Sequence, residues 1–246
     1  MRLARFSAEL GFSPEEKTFA AAKNNVRLLA DVSKDRIWPE LEKIFASSEK
    51  YPTVSGDNAV KRGLEVLEKL GALRVLFPNF SANEGYLAAL EAMPHLAKEA
   101  RLAALFTSQD DKDVFAYLSD LRCPKCLKEQ TANLIALAKT AVKTREDAAA
   151  VILKSEKLWK EVALLKRHVT GDVNGADILE KQFSYMSENE LPFDVKGLFV
   201  TGNDLIKLKI AKDKRSAALK KLLCRVAVDK GLNSREKQLQ LLLEEV

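Results

Sequence analysis

The 246-residue sequence has three cysteines, two histidines, ten glycines and seven prolines, and no long apolar run. Three cysteines in a chain of this size make no disulfide framework. Cys123 and Cys126 have zinc-ligand spacing, but no second pair accompanies them and Cys224 is remote. A tetrahedral zinc site needs four ligands, so the pair reads as helix-start cysteines. His95 and His168 lie too far apart in sequence to argue a Ser-His-Asp arrangement. His95, after Pro94, reads as a surface or capping residue. The apolar runs are broken by charge and fall short of the roughly 20 residues that cross a bilayer. Met1-Arg2-Leu3 leads into no signal core, so no membrane partner is expected and the cytoplasm is the default location. Scarce Gly and Pro, beside abundant Ala, Leu, Lys and Glu, favour helices over sheets. Gly171 to Gly175 and Gly202-Asn203-Asp204 read as turns, since neither runs into the Gly-Lys-Ser/Thr of a phosphate-cradling loop.

What is present is periodic apolar patterning and an uneven charge. Between Leu205 and Lys237 eleven basic residues face three acidic ones, a net +8, although the whole chain carries only +5. Such a cluster suits a polyanion, whose neutralised phosphates release condensed counterions. Leu3, Phe6 and Leu10 share a helix face from the first residue, with no capping side chain ahead, so the chain reads as the downstream part of something longer. Ser13-Pro14-Glu15-Glu16 reads as a helix start with Ser13 as cap. A second start at Ser33 carries Ile37, Leu41, Ile44 and Phe45, with a local 3₁₀ turn or kink expected at Pro39. Tyr51 to Asn58 is a turn-rich linker, and Val60, Leu64, Leu67 and Leu70 mark a helix stopped by Gly71. From Asn83 onward stripe follows stripe to the end, broken at Leu191-Pro192-Phe193, with no convincing strand pair. Trp38 and Trp159 sit at helical spacing among apolar neighbours and read as core or domain-contact residues. The fold class is all-α, an elongated multi-helix array.

Two separated stretches carry a resemblance. Arg5-Phe6-Ser7-Ala8-Glu9-Leu10-Gly11-Phe12 is followed by Asn25 to Leu29, Val32 to Ile37 and Glu40 to Ile44, then Gly63 to Leu73 and Leu76-Phe77-Pro78. This order resembles the neck and body of a bacterial tRNA nucleotidyltransferase, the CCA-adding enzyme, or its relative poly(A) polymerase. Val200-Thr201-Gly202-Asn203-Asp204-Leu205-Ile206 resembles the start of that family's tail domain, and Gly231 to Glu236 the turn between its last helices. The resemblance divides the chain into a neck or RNA-binding-type region at 1–80, a helical body at 81–192 and a basic helical tail at 193–246.

The resemblance implies tRNA binding in 3'-end processing, weak and through the backbone phosphates of acceptor stem and elbow. A-form RNA hides its base edges in a deep groove, so shape and charge carry such contact. The expected contacts are Lys207, Lys212, Lys214, Arg215, Lys220 and Lys221. In this family a head domain precedes the neck, with an Asp-x-Asp pair that holds Mg²⁺. Those elements are not in the sequence, so the chain alone is expected to hold no catalytic, nucleotide-binding or metal site and no cofactor, with a separately encoded head as one partner. A stand-alone RNA-binding or protein-interaction module derived from the family is the alternative. Asp111-Lys112-Asp113 has the Asp-x-Asp spacing but reads as a solvated helix start. Two departures stand out. Asp35-Arg36 replaces the family's Glu-Arg, leaving room for a structural salt link. Lys209 to Ser216 lacks the Gly and Pro of the family's tail turn, so point charges on Lys212, Lys214 and Arg215 would replace a backbone anion site.

Overall fold

A computed structural model describes residues 1–50, 58–81, 84–92 and 97–244. Among the described residues all regular structure is helical and no strand forms. Two compact units result: Met1–Lys139 with Leu164–Gly171, and Thr140–Ala163 with Asp172–Val246. The boundaries expected at 80/81 and 192/193 fall inside the first and second unit respectively. Among the described residues no helix is long and apolar enough to cross a membrane.

The first unit opens with α1 (Arg2–Leu10), α2 (Glu16–Asn24) and a 3₁₀ turn (Val26–Asp31). There follow α3 (Lys34–Phe45), α4 (Ser47–Lys50), α5 (Ala59–Lys69), α6 (Ala72–Leu76), α7 (Glu84–Ala92), α8 (Lys98–Phe106), α9 (Asp111–Asp120) and α10 (Lys125–Lys139). The expected stripes of α3 and α5 are buried: Ile37, Leu41, Ile44 and Phe45 on one, Val60, Leu64 and Leu67 on the other. Trp38 is core as well. Gly71 ends α5 in the left-handed region, φ 76°.

The face of α1 is a correction. Leu3, Phe6 and Leu10 do not form the packed side. Ala4, Ser7 and Ala8 are buried, while Phe6 is 42% exposed. Small side chains win because α1 packs against α5 at Gly63, where a methyl group would lie 2.9 Å from the Ala8 Cβ and 3.3 Å from the Ala4 carbonyl. Phe6 instead lies under the Arg5 guanidinium, 4.3 Å from its ring centroid. Arg5 also reaches Glu9 at 2.7 Å and Glu40 at 2.8 Å, joining α1 to α3. Burial alone would raise the Glu40 carboxyl, but Arg5 and Lys43 outweigh it and hold it below the ordinary range.

Helix α2 starts later than expected. Glu15, with ψ 140°, takes the cap position, and its carboxylate accepts a hydrogen bond from the Thr18 hydroxyl at 3.0 Å, so Ser13 caps nothing. At Pro39 α3 runs on unbroken, and the 3₁₀ turn lies upstream at Val26–Asp31. The link expected at Asp35-Arg36 forms with a distant partner: Asp35 takes Arg122 at 2.8 and 2.9 Å. Residues 51–57 of the expected linker, and His95, lie outside the described residues.

The second unit comprises α11 (Arg145–Lys154), the first part of α12 (Trp159–Leu165), α13 (Val173–Glu188), α14 (Gly202–Lys207), α15 (Arg215–Val228) and α16 (Arg235–Glu244). The end of α12 and a π turn at Lys166–Thr170 belong to the first unit. The segment 172–175, expected as a turn, is the cap and opening of α13, where Asp172 accepts from the Gly175 N–H at 2.9 Å. Trp159 stacks on Phe183 at 4.0 Å, an apolar contact within this unit. α11 packs on α13 and α15, and Leu198, Val200, Leu205, Leu222, Val226 and Leu242 form the core under α14–α16.

Candidate nucleic-acid interface

The basic tail is built on a polar lock. Asp204, in the first turn of α14, accepts from the Thr201 N–H at 2.8 Å and from its hydroxyl at 2.9 Å. Its other oxygen takes Arg235 at 2.6 Å, and Arg235 also donates to the Phe199 carbonyl at 2.8 Å. The fully buried Gln238 completes the joint, accepting from the Phe199 and Val200 N–H groups. Gly202-Asn203-Asp204 is therefore the opening of a helix rather than a turn. The two family-like motifs of the tail, 200–206 and 231–236, meet each other here and hold the domain together.

The Thr201 N–H and hydroxyl, with the Arg235 charge, hold the Asp204 carboxyl below its ordinary 3.8 despite the opposing effect of burial. A depressed folded pKa adds stability that is fully present above the ordinary value and is lost as pH falls through the folded value. The second unit's thermal midpoint is thus expected to drop with acidification below about pH 4. Asp204→Asn removes much of that acid dependence and lowers the midpoint at neutral pH; a variant with an unchanged pH profile of melting would contradict this.

α14 ends in a left-handed residue, Lys209 at φ 58°, with the Ile210 N–H bonded to the Leu205 carbonyl at 3.0 Å. This closure is normally glycine's, and the apolar contact of Ile210 with the Leu205 core compensates for the strain. The next turn presents Lys212 and Lys214 to solvent, and α15 begins at Arg215 with Lys214 in the cap position and no side-chain cap. Lys207, Lys220 and Lys221 are exposed as well. Arg215 is half-buried, and its Nε donates to the Ile210 carbonyl at 2.9 Å, so it braces the turn before it can meet a ligand. At 3.6 residues per turn Lys214 and Lys221 share a stripe, on which the exposed Arg225 also falls. Lys220 lies about 100° away. Arg225 thus shares the exposed basic stripe although the expected set left it out; it was visible as i+4 from Lys221.

The other candidates resolve locally. Asp110 caps α9 by accepting from the Lys112 N–H at 2.9 Å, and Asp111 pairs with Lys139 at 2.6 Å. The Asp-x-Asp spacing is a helix start. Cys123 is buried, which pushes its thiol up to about 12, whereas Cys126 is exposed. Among the described residues no group of three or more His, Cys, Asp or Glu converges as metal ligands. His168 is half-buried in the π turn. Lys17, Lys23 and Arg27 are exposed on α2 and the 3₁₀ turn, neither of which has a buried residue.

Comparison with known proteins bears on that last segment first. Residues 11–56 match the family described as "Probable RNA and SrmB- binding site of polymerase A". Two CCA-adding enzymes of Lactococcus lactis subsp. cremoris, from strains MG1363 and SK11, are each 45% identical over 49 residues. Those matches span 20% of this chain and 12% of the relatives' length. The crystal structure of the Bacillus stearothermophilus CCA-adding enzyme in complex with CTP shares the fold, with a TM-score of 0.64 at 23% identity. That likeness covers 98% of this chain and 60% of the other. The chain thus carries a segment near its start that matches this RNA-binding family, and shares the fold of a CCA-adding enzyme along its length.

Proposed function

We propose that the chain binds tRNA in 3'-end processing, gripping the phosphates of acceptor stem and elbow, and that it does not add nucleotides by itself. Catalysis on this reading requires a head carrying the two-metal carboxylates, in the same protein or on a separate partner. The observation that carries it is the exposed cation array on the tail, borne by a chain that shares the fold of a CCA-adding enzyme. The lysines stand around a helix rather than inside a pocket, which suits a backbone contact of modest affinity and strong salt dependence.

The test uses fluorescence anisotropy with tRNA lacking its terminal CCA. Lys212→Glu with Lys214→Glu is the informative pair, because both side chains are exposed and neither braces the fold as Arg215 does. Expected are binding at low salt, a loss of about tenfold or more in the double variant, and a salt slope shallower by roughly 1 for each contact removed. Incubation with CTP, ATP and the same tRNA is expected to give no extension. Undetectable wild-type binding at low salt, or extension by this chain alone, overturns the reading.

A further inference from the structure

Besides the tail cations, the second unit carries a cleft of about 400 Å³ between the start of α11 and the flank of α13. Its ionisable lining includes Lys143, Arg145 and Lys181, and no lining residue is acidic. Lys143, Arg145 and Lys181 are exposed, and among the described residues Lys181 has no carboxylate partner. Asp147, in the first turn of α11, turns its charge into the helix cap, accepting from the Lys143 and Thr144 N–H groups at 3.0 Å.

Arg145 is fixed in place. Its guanidinium lies 4.1 Å from the Tyr185 ring centroid, its Nε donates to Gln182 at 3.0 Å, and one terminal nitrogen donates to the Val228 carbonyl at 3.2 Å. The supports are themselves held. Gln182 is 1% exposed and donates to the Ala227 carbonyl at 2.7 Å, while the Tyr185 hydroxyl accepts from the Lys230 N–H at 3.1 Å. Two of the five guanidinium N–H groups are engaged, which leaves three for a ligand. A fork oriented beforehand by stacking and two internal bonds, with ammonium groups around it and no opposing acid, matches the planar, multiply accepting oxygens of a phosphodiester. It loses little further entropy on binding.

The cleft is also separated by a known length from Lys212 and Lys214, which lie at the opposite end of α15. α15 begins beside Lys214 and ends at Val228, whose carbonyl takes Arg145. Its 14 residues span about 20 Å at 1.5 Å per residue.

We propose that Lys143, Arg145 and Lys181 hold a backbone phosphate of the bound RNA as a second anchor, roughly one α15 length from Lys212 and Lys214. This deepens, and rests on, the RNA-binding reading above. The experiment measures tRNA affinity against KCl concentration for the full chain, for Lys143→Glu with Lys181→Glu, for Arg145→Lys, and for the tail pair Lys212→Glu with Lys214→Glu. Melting curves run alongside. The cleft pair is expected to lose about tenfold or more at low salt, to flatten the salt slope by about 2, and to melt with the wild type. Its loss multiplies with that of the tail pair. Arg145→Lys, which keeps the charge and loses the fork, is expected to weaken binding by several-fold. If the tail pair weakens binding and the cleft pair leaves affinity and slope unchanged, the second anchor falls and the RNA-binding reading stands. If only the cleft pair matters, the anchor stands and the tail assignment falls. Wild-type chain that does not bind RNA overturns both. Binding of CTP that Lys181→Glu abolishes, with RNA affinity intact, assigns the cleft to a free nucleotide and overturns the proposal.

Discussion

Replacing Arg101 with alanine is expected to destabilise the first unit by about 3–5 kcal/mol, lowering its melting midpoint by roughly 10 °C. Arg101 is 1% exposed, the largest fully buried side chain described. It sits in α8 and reaches back to the end of α3 and into α4, donating to the Phe45 carbonyl, to the Ser48 hydroxyl at 3.0 Å and to Glu49 at 3.2 Å. Burial lowers the guanidinium's hold on its proton, and Glu49 offsets part of that. Truncation opens a cavity and strips a donor from buried oxygen acceptors, each effect costing about 1–3 kcal/mol. Glu49 is 62% exposed on its side chain and is left solvated, so the charge itself adds little. The residue belongs to a unit apart from the tail, so calorimetry should show the shift in one transition while the second unit's transition stays in place. Arg101→Lys, which keeps the charge and cannot span both partners, should fall between. A midpoint within about 2 °C of wild type for Arg101→Ala would mean that the anchor carries no load. Phe45 and Ser48 lie in the 11–56 segment matched to the RNA-binding family, so the same variant tests what holds that segment in place.

Much of this architecture was legible in the sequence. Leu64 and Leu67, or Ile37, Leu41 and Ile44, repeat at the helical period and bury the face that period implies. The single-residue signal of Gly71 likewise marks a helix end, with positive φ. What the pattern hid was contact between distant segments. Leu3, Phe6 and Leu10 outshine Ala4, Ser7 and Ala8 on any hydrophobicity count, yet the small residues face α5, because close helix approach rewards the absence of side chain. Asp204 and Arg235 are 31 residues apart, so nothing local announces that the two tail motifs close on each other. The tail lysines were legible as a charge run. The cleft was not: Lys143 and Arg145 come from the start of one helix, Lys181 and Tyr185 from another, and they signify little until Gln182 and Val228 orient the guanidinium. Composition locates a charged surface, whereas the organised part of it depends on tertiary placement.

Gly63→Val supplies the sharpest test of the close approach between α1 and α5, with an expected loss of about 3 kcal/mol or more. A Cβ at this position would lie 2.7 Å from the Ile44 Cγ2, 2.9 Å from the Ala8 Cβ and 3.3 Å from the Ala4 carbonyl. The isoleucine methyl can rotate away, but Ala8 Cβ and the Ala4 carbonyl move only with the α1 backbone. Even alanine is then unfavourable: its higher helix propensity returns about 1 kcal/mol, against overpacking of about 1–3 kcal/mol. Gly202→Ala is the matched control, since Gly202 is also helical and nothing lies within 4 Å of its added methyl. That change is expected to leave the melting midpoint unchanged or slightly raised. The decisive variant is the pair Gly63→Ala with Ala8→Gly, which moves one methyl group from α1 to α5. If the contact is what limits the site, the double variant recovers part of the loss seen for Gly63→Ala alone, a coupling of about 0.5 kcal/mol or more. Strictly additive losses would place the cost of Gly63→Ala elsewhere, and the small-residue face of α1 would then have no part in choosing which side of the helix is buried.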